Sequence, residues 1–386
     1  MGKAKEVLKK NTMLLALIFI MVLFQVLITN QNKGSLFAPT NITNLISQNS
    51  YVVILATGML LCILSGGNID LSVGSIVALV GAIAGTLIVN MKMNVYLAMA
   101  ICLVAGTLIG AWQAFWIAYR RIPPFIVTLA GMLVFRGLAL ILLNGLTISP
   151  FPEQYTKYFN SYIGGESALT LCLIVGAVIS AVFIASQVVS RINRSKKGYS
   201  VEALPFMLLK IVCISSVVMG AFWLLGNDKG IPAVLILLGV VVLVYHYYTS
   251  STVPGRHLYA MGGNEKAARL SGVNTDRTLF FAYTNMGFLA AVAALVCVAR
   301  FNSAAPSAGT NYEMDAIASC YIGGASAFGG VGTVGGSVIG AVFMGVLNNG
   351  MSIMGIDANW QRTVKGLVLL AAVIFDVTSK KRKQSS

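Results

Sequence analysis

Residues 254–277 read PGRHLYAMGGNEKAARLSGVNTDR. This is the longest polar passage in a chain that is otherwise mostly apolar, and long apolar runs flank it on both sides. Two membrane spans need only a short turn between them, so a polar segment of this length has no role in joining them. Its local chemistry predicts a short helix. Gly262, Gly263 and Asn264 read as a turn, with Asn264 as the N-cap. Glu265 sits in the first turn, where the helix dipole favours an anion. Lys266, Ala267, Ala268, Arg269 and Leu270 are strong helix formers. After Ser271, Gly272 ends the helix as the residue beyond its C-cap. Two readings stand side by side: a surface on which another protein docks, and a solvated loop with an incidental helix.

Composition sets the class. Of 386 residues, 57% are hydrophobic and only 10% charged, against about 25% charged in soluble domains. Mean hydropathy is +0.82. These values predict an all-α polytopic membrane protein, residues 1–386 forming one transmembrane domain. The net charge of +15 would suggest nucleic acid in a soluble chain. Here it points to cytoplasmic loops and anionic membrane lipid, with no nucleic-acid partner. The cysteines (62, 102, 172, 213, 297 and 320) lie in apolar runs without metal-ligand spacing, and read as small buried hydrophobes. With only His246 and His257, a His-rich metal site is excluded.

Twelve apolar segments approach the roughly 20 residues that a bilayer requires. They lie at 12–29, 48–66, 71–90, 94–118, 125–143, 168–189, 204–226, 231–249, 279–299, 314–330, 334–354 and 362–378, some of them short or re-entrant. The first follows the basic start Met1–Asn11 and reads as an uncleaved helix, because no small-residue cleavage motif closes it. Alternating sides along the chain places 18 of 27 Lys and Arg inside, six outside and three within spans. That bias predicts cytoplasmic N- and C-termini, a basic cytoplasmic tail at 379–386, and a cytoplasmic 254–278 segment.

Two gaps interrupt the apolar pattern in the same way. One runs from Ser65 to Ser75 and holds Gly66, Gly67, Asn68, Asp70 and Ser72. The other runs from Ile322 to Gly332 and holds Gly323, Gly324, Ser326, Gly329 and Gly330. Both have the same orientation by parity, which suggests a parallel internal repeat. Broken backbone at membrane depth survives where protein buries it or where it lines a watery cavity. The plainer reading is helix packing by small residues. Asp70 reads as a cap for the following helix or as a polar contact along a substrate path. Arg136 lies about 18 Å along its span at 1.5 Å per residue and needs a partner, with Asp70 and Asp315 the candidates. Glu313 and Asp315 fall at the outer end of a span, an ordinary place for acids. Trp112, Trp116 and Tyr119 read as interface anchors.

Catalytic motifs are missing. The only Gly-Lys pair is Gly2-Lys3, with no room for a phosphate-binding loop before it, and HExxH, GxSxG and paired-Cys motifs do not occur. The chain reads as a non-enzyme. If ATP drives it, the ATPase is a separate subunit.

The sequence resembles the membrane permeases of bacterial ABC importers for monosaccharides, the ribose, xylose, galactose and multiple-sugar type. The resemblance is carried by GGNIDLSVGS at 66–75, GRHLYAMGGNEKAARLSGVNTDR at 255–277, the run from Tyr312 to Ala341, and WQRTVKGLVLLAAVIFD at 360–376. TLAGMLVFRGLALIL at 128–142, with Arg136, also fits. Asn68 is additional to the usual GGIDLSVGS, and an extra apolar segment at 204–226 follows the basic RINRSKKGYS at 191–200. Both departures resemble the xylose and multiple-sugar branch.

The resemblance implies a type II importer-like permease of 10–12 transmembrane helices in the bacterial inner membrane. A second copy would complete a homodimer. An ABC ATPase subunit carrying ATP and Mg would take the coupling helix, Gly263 to Gly272, in a groove. An extracytoplasmic sugar-binding protein would deliver the ligand. Asn68, Asp70, Ser72, Arg136, Gly323, Gly324 and Ser326 are the pathway candidates. No cofactor, metal or catalytic residue is expected in the chain itself. The alternative is an ion-coupled secondary sugar transporter, whose coupling carboxylate would be Asp70 or Asp315.

Overall fold

The computed structural model describes residues 12–199 and 204–384. The expectation for the basic start at 1–11 lies outside the described residues, as do the side chains of the tail from 379 onward. The described chain is helical almost throughout. The order is α1 (Thr12–Asn30), α2 (Pro39–Leu64), α3 (Val73–Gly85, running on as a π turn Thr86–Asn90), α4 (Val95–Ala118), α5 (Pro124–Leu143), α6 (Glu153–Asn160), α7 (Ala168–Lys196) and α8 (Leu204–Gly226). Then come α9 (Ala233–Ser251), α10 (Val253–Gly263), α11 (Glu265–Leu270), α12 (Thr275–Phe301), α13 (Tyr312–Ile322), α14 (Val334–Ile353) and α15 (Ala358–Gln384). One two-residue antiparallel ladder, β1 (Tyr162–Ile163) with β2 (Ile231–Pro232), ties the approaches to α7 and α9.

Ten helices among the described residues are long and apolar enough to cross a membrane. They match ten of the twelve expected segments. The segment expected at 314–330 differs: α13 has only 11 residues, about 16 Å at 1.5 Å per residue, and the chain then leaves the helix at Gly323. It is a half-span followed by a loop. The segment expected at 362–378 lies inside the 27-residue α15. The largest boundary difference is in α2, which begins nine residues before the expected 48, with Pro39 at its first turn. Its first 12 of 26 residues, PTNITNLISQNS, are polar, and a hydropathy average reads them as outside the bilayer.

Helices α2 and α12 are central: 78% of the apolar window of each is buried within the chain, against 11% for α1 and α8. The closest pairing is α4 against α12. It rests on small residues. A Cβ on Gly106 would meet the Gly287 carbonyl oxygen at 2.8 Å, and one on Gly287 would meet the Gly106 oxygen at 2.4 Å. Close backbone approach of this kind is how helices associate where no water drives them together. Helices α7 and α8 pack mainly on each other, at the periphery, and present apolar side chains outward. All six cysteines are free. Five are buried as expected, and Cys213 on α8 is exposed.

Candidate functional site

The polar segment that opened the sequence reading contains two helices. Gly262 and Gly263 are the last residues of α10, not a turn. Asn264 leaves the helix with φ −161° and ψ 102°, and its side-chain oxygen accepts from the Ala267 N–H at 3.0 Å. That is the expected N-cap. Gly272 takes φ +86°, the expected left-handed exit. Between them α11 is six residues long, about 9 Å. Ala268 faces inward, while Leu270 is 90% exposed. Among the described residues, no packing accounts for an apolar side chain presented at the tip of a polar helix.

Ion pairs hold α11 at its angle. Arg121, from the loop between α4 and α5, pairs with Glu265 at 2.7 Å and with Asp276 at the start of α12. Arg269 pairs with Asp276 at 2.9 Å and with Glu265 at 3.7 Å. Both arginines also donate to Thr275 Oγ1. Burial works against the Arg121 charge, but the Glu265 and Asp276 carboxylates outweigh it and hold the guanidinium above its ordinary pKa. Each pair is half exposed, where an ion pair contributes about 0.2–1 kcal/mol. The cluster orients α11 more than it stabilises the fold. It also places Arg120, Arg121, Lys266, Arg269 and Arg277 at one end of the bundle, the basic end.

The two glycine gaps meet each other at that same end. A Cβ on Gly67 would lie 2.1 Å from the Ala327 carbonyl oxygen, and one on Gly329 would lie 2.6 Å from Gly66 Cα. The Gly330 N–H donates to the Leu64 carbonyl at 3.1 Å. Helix α10 completes the contact. A Cβ on Gly262 would meet the Leu64 oxygen at 1.9 Å and the Gly330 nitrogen at 2.3 Å. Tyr259 Oη donates to the Gly332 carbonyl at 2.9 Å. The three segments touch backbone to backbone, so the glycines at their contacts are required by space. Small-residue packing accounts for them.

Of the pathway candidates, six lie in these two loops and Arg136 does not. Asp70 is buried. Its Oδ1 accepts from the Ser72 N–H at 2.8 Å and the Ser72 hydroxyl at 2.6 Å. It caps the approach to α3 from two residues upstream, an Asx-type turn. The Ser72 hydroxyl and Gln113 on α4 are also hydrogen-bonded, Gln113 Nε2 donating to Ser72 Oγ at 2.7 Å. Asn68 Nδ2 donates weakly to Ser65 Oγ at 3.4 Å. In the second loop Ser326 Oγ accepts from the Phe328 N–H at 3.0 Å. Gly323 packs on Gly336, where an added Cβ would be 2.3 Å from the carbonyl oxygen, and Gly324 takes φ +84°.

Arg136 takes neither expected carboxylate. Its Nη1 donates to the carbonyls of Pro306 at 3.2 Å and Ala308 at 2.5 Å, at the end of the bundle opposite α11. Backbone oxygens satisfy it. Asp315 is not an ordinary surface acid either. It is buried, pairs with Lys365 of α15 at 2.9 Å, and accepts from Tyr51 Oη at 2.8 Å. Both candidate coupling carboxylates thus have partners within the chain, Asp70 through Ser72 and Asp315 through Lys365 and Tyr51. The residues that sequence reasoning passed over are the polar run 40–51 in α2 and Asn348-Asn349 in α14. Their signal was present as amides at helical spacing inside spans.

Comparison with known proteins adds the following. Residues 41–373 match the model of a family described as the permease component of branched-chain amino acid transport systems. The chain is 40% identical over 370 residues to the xylose transport system permease protein XylH of Escherichia coli K12, covering 96% of this chain and 92% of that protein. It is 39% identical over 383 residues to XylH of Haemophilus influenzae, covering 99% and 100%. The ribose import permease protein RbsC of Escherichia coli K12 is 34% identical over 357 residues, covering 92% of each. No solved structure matches.

Proposed function

The chain belongs to the family of branched-chain amino acid transport system permease components, and from its likeness to the xylose and ribose permeases we propose that it is the membrane subunit of an ATP-driven monosaccharide importer of the xylose–ribose kind. It would form the sugar pathway in the bacterial inner membrane, with both termini cytoplasmic, and couple to a separate ATPase through α11. A second copy would complete the pathway, and an extracytoplasmic sugar-binding protein would deliver the ligand.

The observation that carries the coupling role is the pairing of an outward Leu270 with an inward backbone junction. Leu270 is the exposed tip of α11. With only Asn264 between them and α11, the last residues of α10 press against Leu64 at the end of α2 and against Gly330 of the second glycine loop. A partner that grips α11 therefore moves α10, and α10 has no slack against Leu64 and Gly330. Motion enters the bundle at the point where α2 and α13 stop and the chain turns back. The ion pairs of Arg121 and Arg269 keep α11 from swivelling independently of α12. In this scheme closure of the ATPase pair tilts α10–α11, shifts the glycine loops, and changes which end of the bundle is open.

The test is uptake into proteoliposomes that hold the permease alone, or with its ATPase, binding protein and ATP. Uptake of labelled xylose or ribose only with the full set and ATP is expected. Uptake by the permease alone on an ion gradient would replace this reading with the ion-coupled one. Within the working system, Leu270→Asp should lower sugar-stimulated ATPase activity more than tenfold. Its thermal stability should stay near wild type, because exposed substitutions usually act within about 0.5 kcal/mol. Unchanged coupling in that variant would remove α11 as the docking element.

A further inference from the structure

Away from the basic end, helices α2, α12, α13 and α14 enclose a chamber of about 100 Å³. A single water needs only about 10–15 Å³ of such space, so the chamber has room for a small molecule. Its wall is unlike the rest of the bundle. Tyr51 and Tyr312 stack at 3.8 Å between ring centroids and 19° between planes. Four amides border the same space, and they divide into two kinds. Asn49 is spent on Ala341, donating to its carbonyl at 2.6 Å, and Asn349 exchanges hydrogen bonds with Asn41 at 2.9 Å. Those two hold helices together. Gln48 and Asn348 make no side-chain hydrogen bond among the described residues, and Asn348 Oδ1 is buried with no partner. A buried acceptor without a partner is unfavourable unless something donates to it.

The chemistry selects the class of ligand. An amide offers a donor and an acceptor together, which is what a hydroxyl-bearing molecule requires of its surroundings. Aromatic faces beside amides suit a molecule with polar edges and C–H faces. The side chains bordering the chamber are uncharged; Asp315, which Tyr51 bonds, is paired with Lys365, and Arg300 borders the adjoining recess. Access is provided next door. A wider recess of about 290 Å³, bordered by Asn44 and Arg300 among others, shares Phe301 with the chamber. Asn44 and Gln48 are one turn apart on α2, so the polar face of that helix runs from recess to chamber.

We propose that this chamber is a transient binding site for a neutral polyhydroxy molecule of pentose size, entered from the recess past Phe301 and held by Gln48, Asn348 and the Tyr51–Tyr312 stack. The proposal rests on the reading of the chain as a monosaccharide permease. It names where within one copy the sugar pauses, at the end away from α11.

The experiment is saturation-transfer difference NMR on the full chain in lipid nanodiscs, with D-xylose and D-ribose as probes and cyclohexanol as the apolar control. A signal for the sugars above that for cyclohexanol is expected. It should fall at least fivefold in Asn348→Leu and in Gln48→Leu, and persist in Cys213→Ser on the peripheral α8. Thermal melting accompanies each variant. If Asn348→Leu does not fold, Gln48→Leu carries the test, since the half-buried Gln48 has no side-chain hydrogen bond among the described residues to lose. No sugar signal in wild type, or an undiminished one in the folded variants, overturns the chamber. The two readings fail separately. ATP-driven uptake by the full set with no sugar signal on the permease sinks the chamber alone. A variant-sensitive sugar signal without uptake under any arrangement keeps the chamber as a polyol site and sinks the importer.

Discussion

Two junctions in the bundle are built from different materials. Where the glycine loops meet α10 at the basic end, segments touch through backbone: Gly262 on Leu64, Gly329 on Gly66, Gly67 on Ala327. Around the amide chamber they meet through side chains: the Asn41–Asn349 amide exchange, the Tyr51–Tyr312 stack and the Asp315–Lys365 pair. A backbone contact has one geometry and transmits displacement without give. A side-chain contact can change rotamer or partner while the helices stay in place. Under the proposed importer reading, that division would leave the molecule stiff where force enters and adjustable where a ligand passes.

Substitutions at each junction sharpen the contrast. Gly262→Val should have the largest effect. Its side chain would enter space already held by two backbone atoms, and overpacking against atoms that cannot retreat should cost about 3 kcal/mol or more. Loss of folded protein from detergent extracts, followed by thermal melting, measures it. A folded, transporting Gly262→Val chain would show the junction to be loose and break the comparison. Next is Lys365→Met, which leaves the Asp315 carboxylate buried without its cation. Breaking one partner of a buried pair costs about 3 kcal/mol. The double variant Asp315→Asn, Lys365→Met should recover most of that loss in a double-mutant cycle. Equal destabilisation by the single and the double would mean that the pair is not what holds α13 to α15.

Arg121→Ala comes third, at about 1 kcal/mol, because its partners are half exposed. The loss should shrink in high salt, and a salt-independent loss would assign Arg121 a packing role instead. Gly263→Ala is the smallest and the most discriminating. Nothing lies within 4 Å of a Cβ at this position, whereas its neighbour Gly262 has none of that space. The change should be neutral or stabilising, by under about 1 kcal/mol, as alanine is the better helix former. Equal damage from Gly262→Ala and Gly263→Ala would mean that glycine serves flexibility here and not close approach.

What the sequence made legible was what local chemistry determines. Asn264 as cap, Gly272 as exit and the span-length apolar runs need only neighbours in sequence. The two glycine gaps were visible as breaks, though not their contact with each other some 260 residues apart. Gly262 looked like half of a turn because Gly-Gly-Asn is turn chemistry, and the reason for it lies in Leu64 and Gly330. The partner of Arg136 was sought among carboxylates, where charge points. It proved to be a pair of carbonyls, which every residue carries and no sequence marks. The amide run of α2 was set outside the membrane because averaged hydropathy cannot distinguish a polar loop from a helix with one polar face.

The cysteines give the chain an experimental property of its own. Five thiols are buried and only Cys213 is exposed, on the peripheral α8. Replacing Cys213 with serine would leave a molecule in which no accessible thiol competes for a label. A reporter placed at position 270 would then be a single address, and its distance to a second label elsewhere would serve as a ruler for whether α11 moves as the proposed coupling requires.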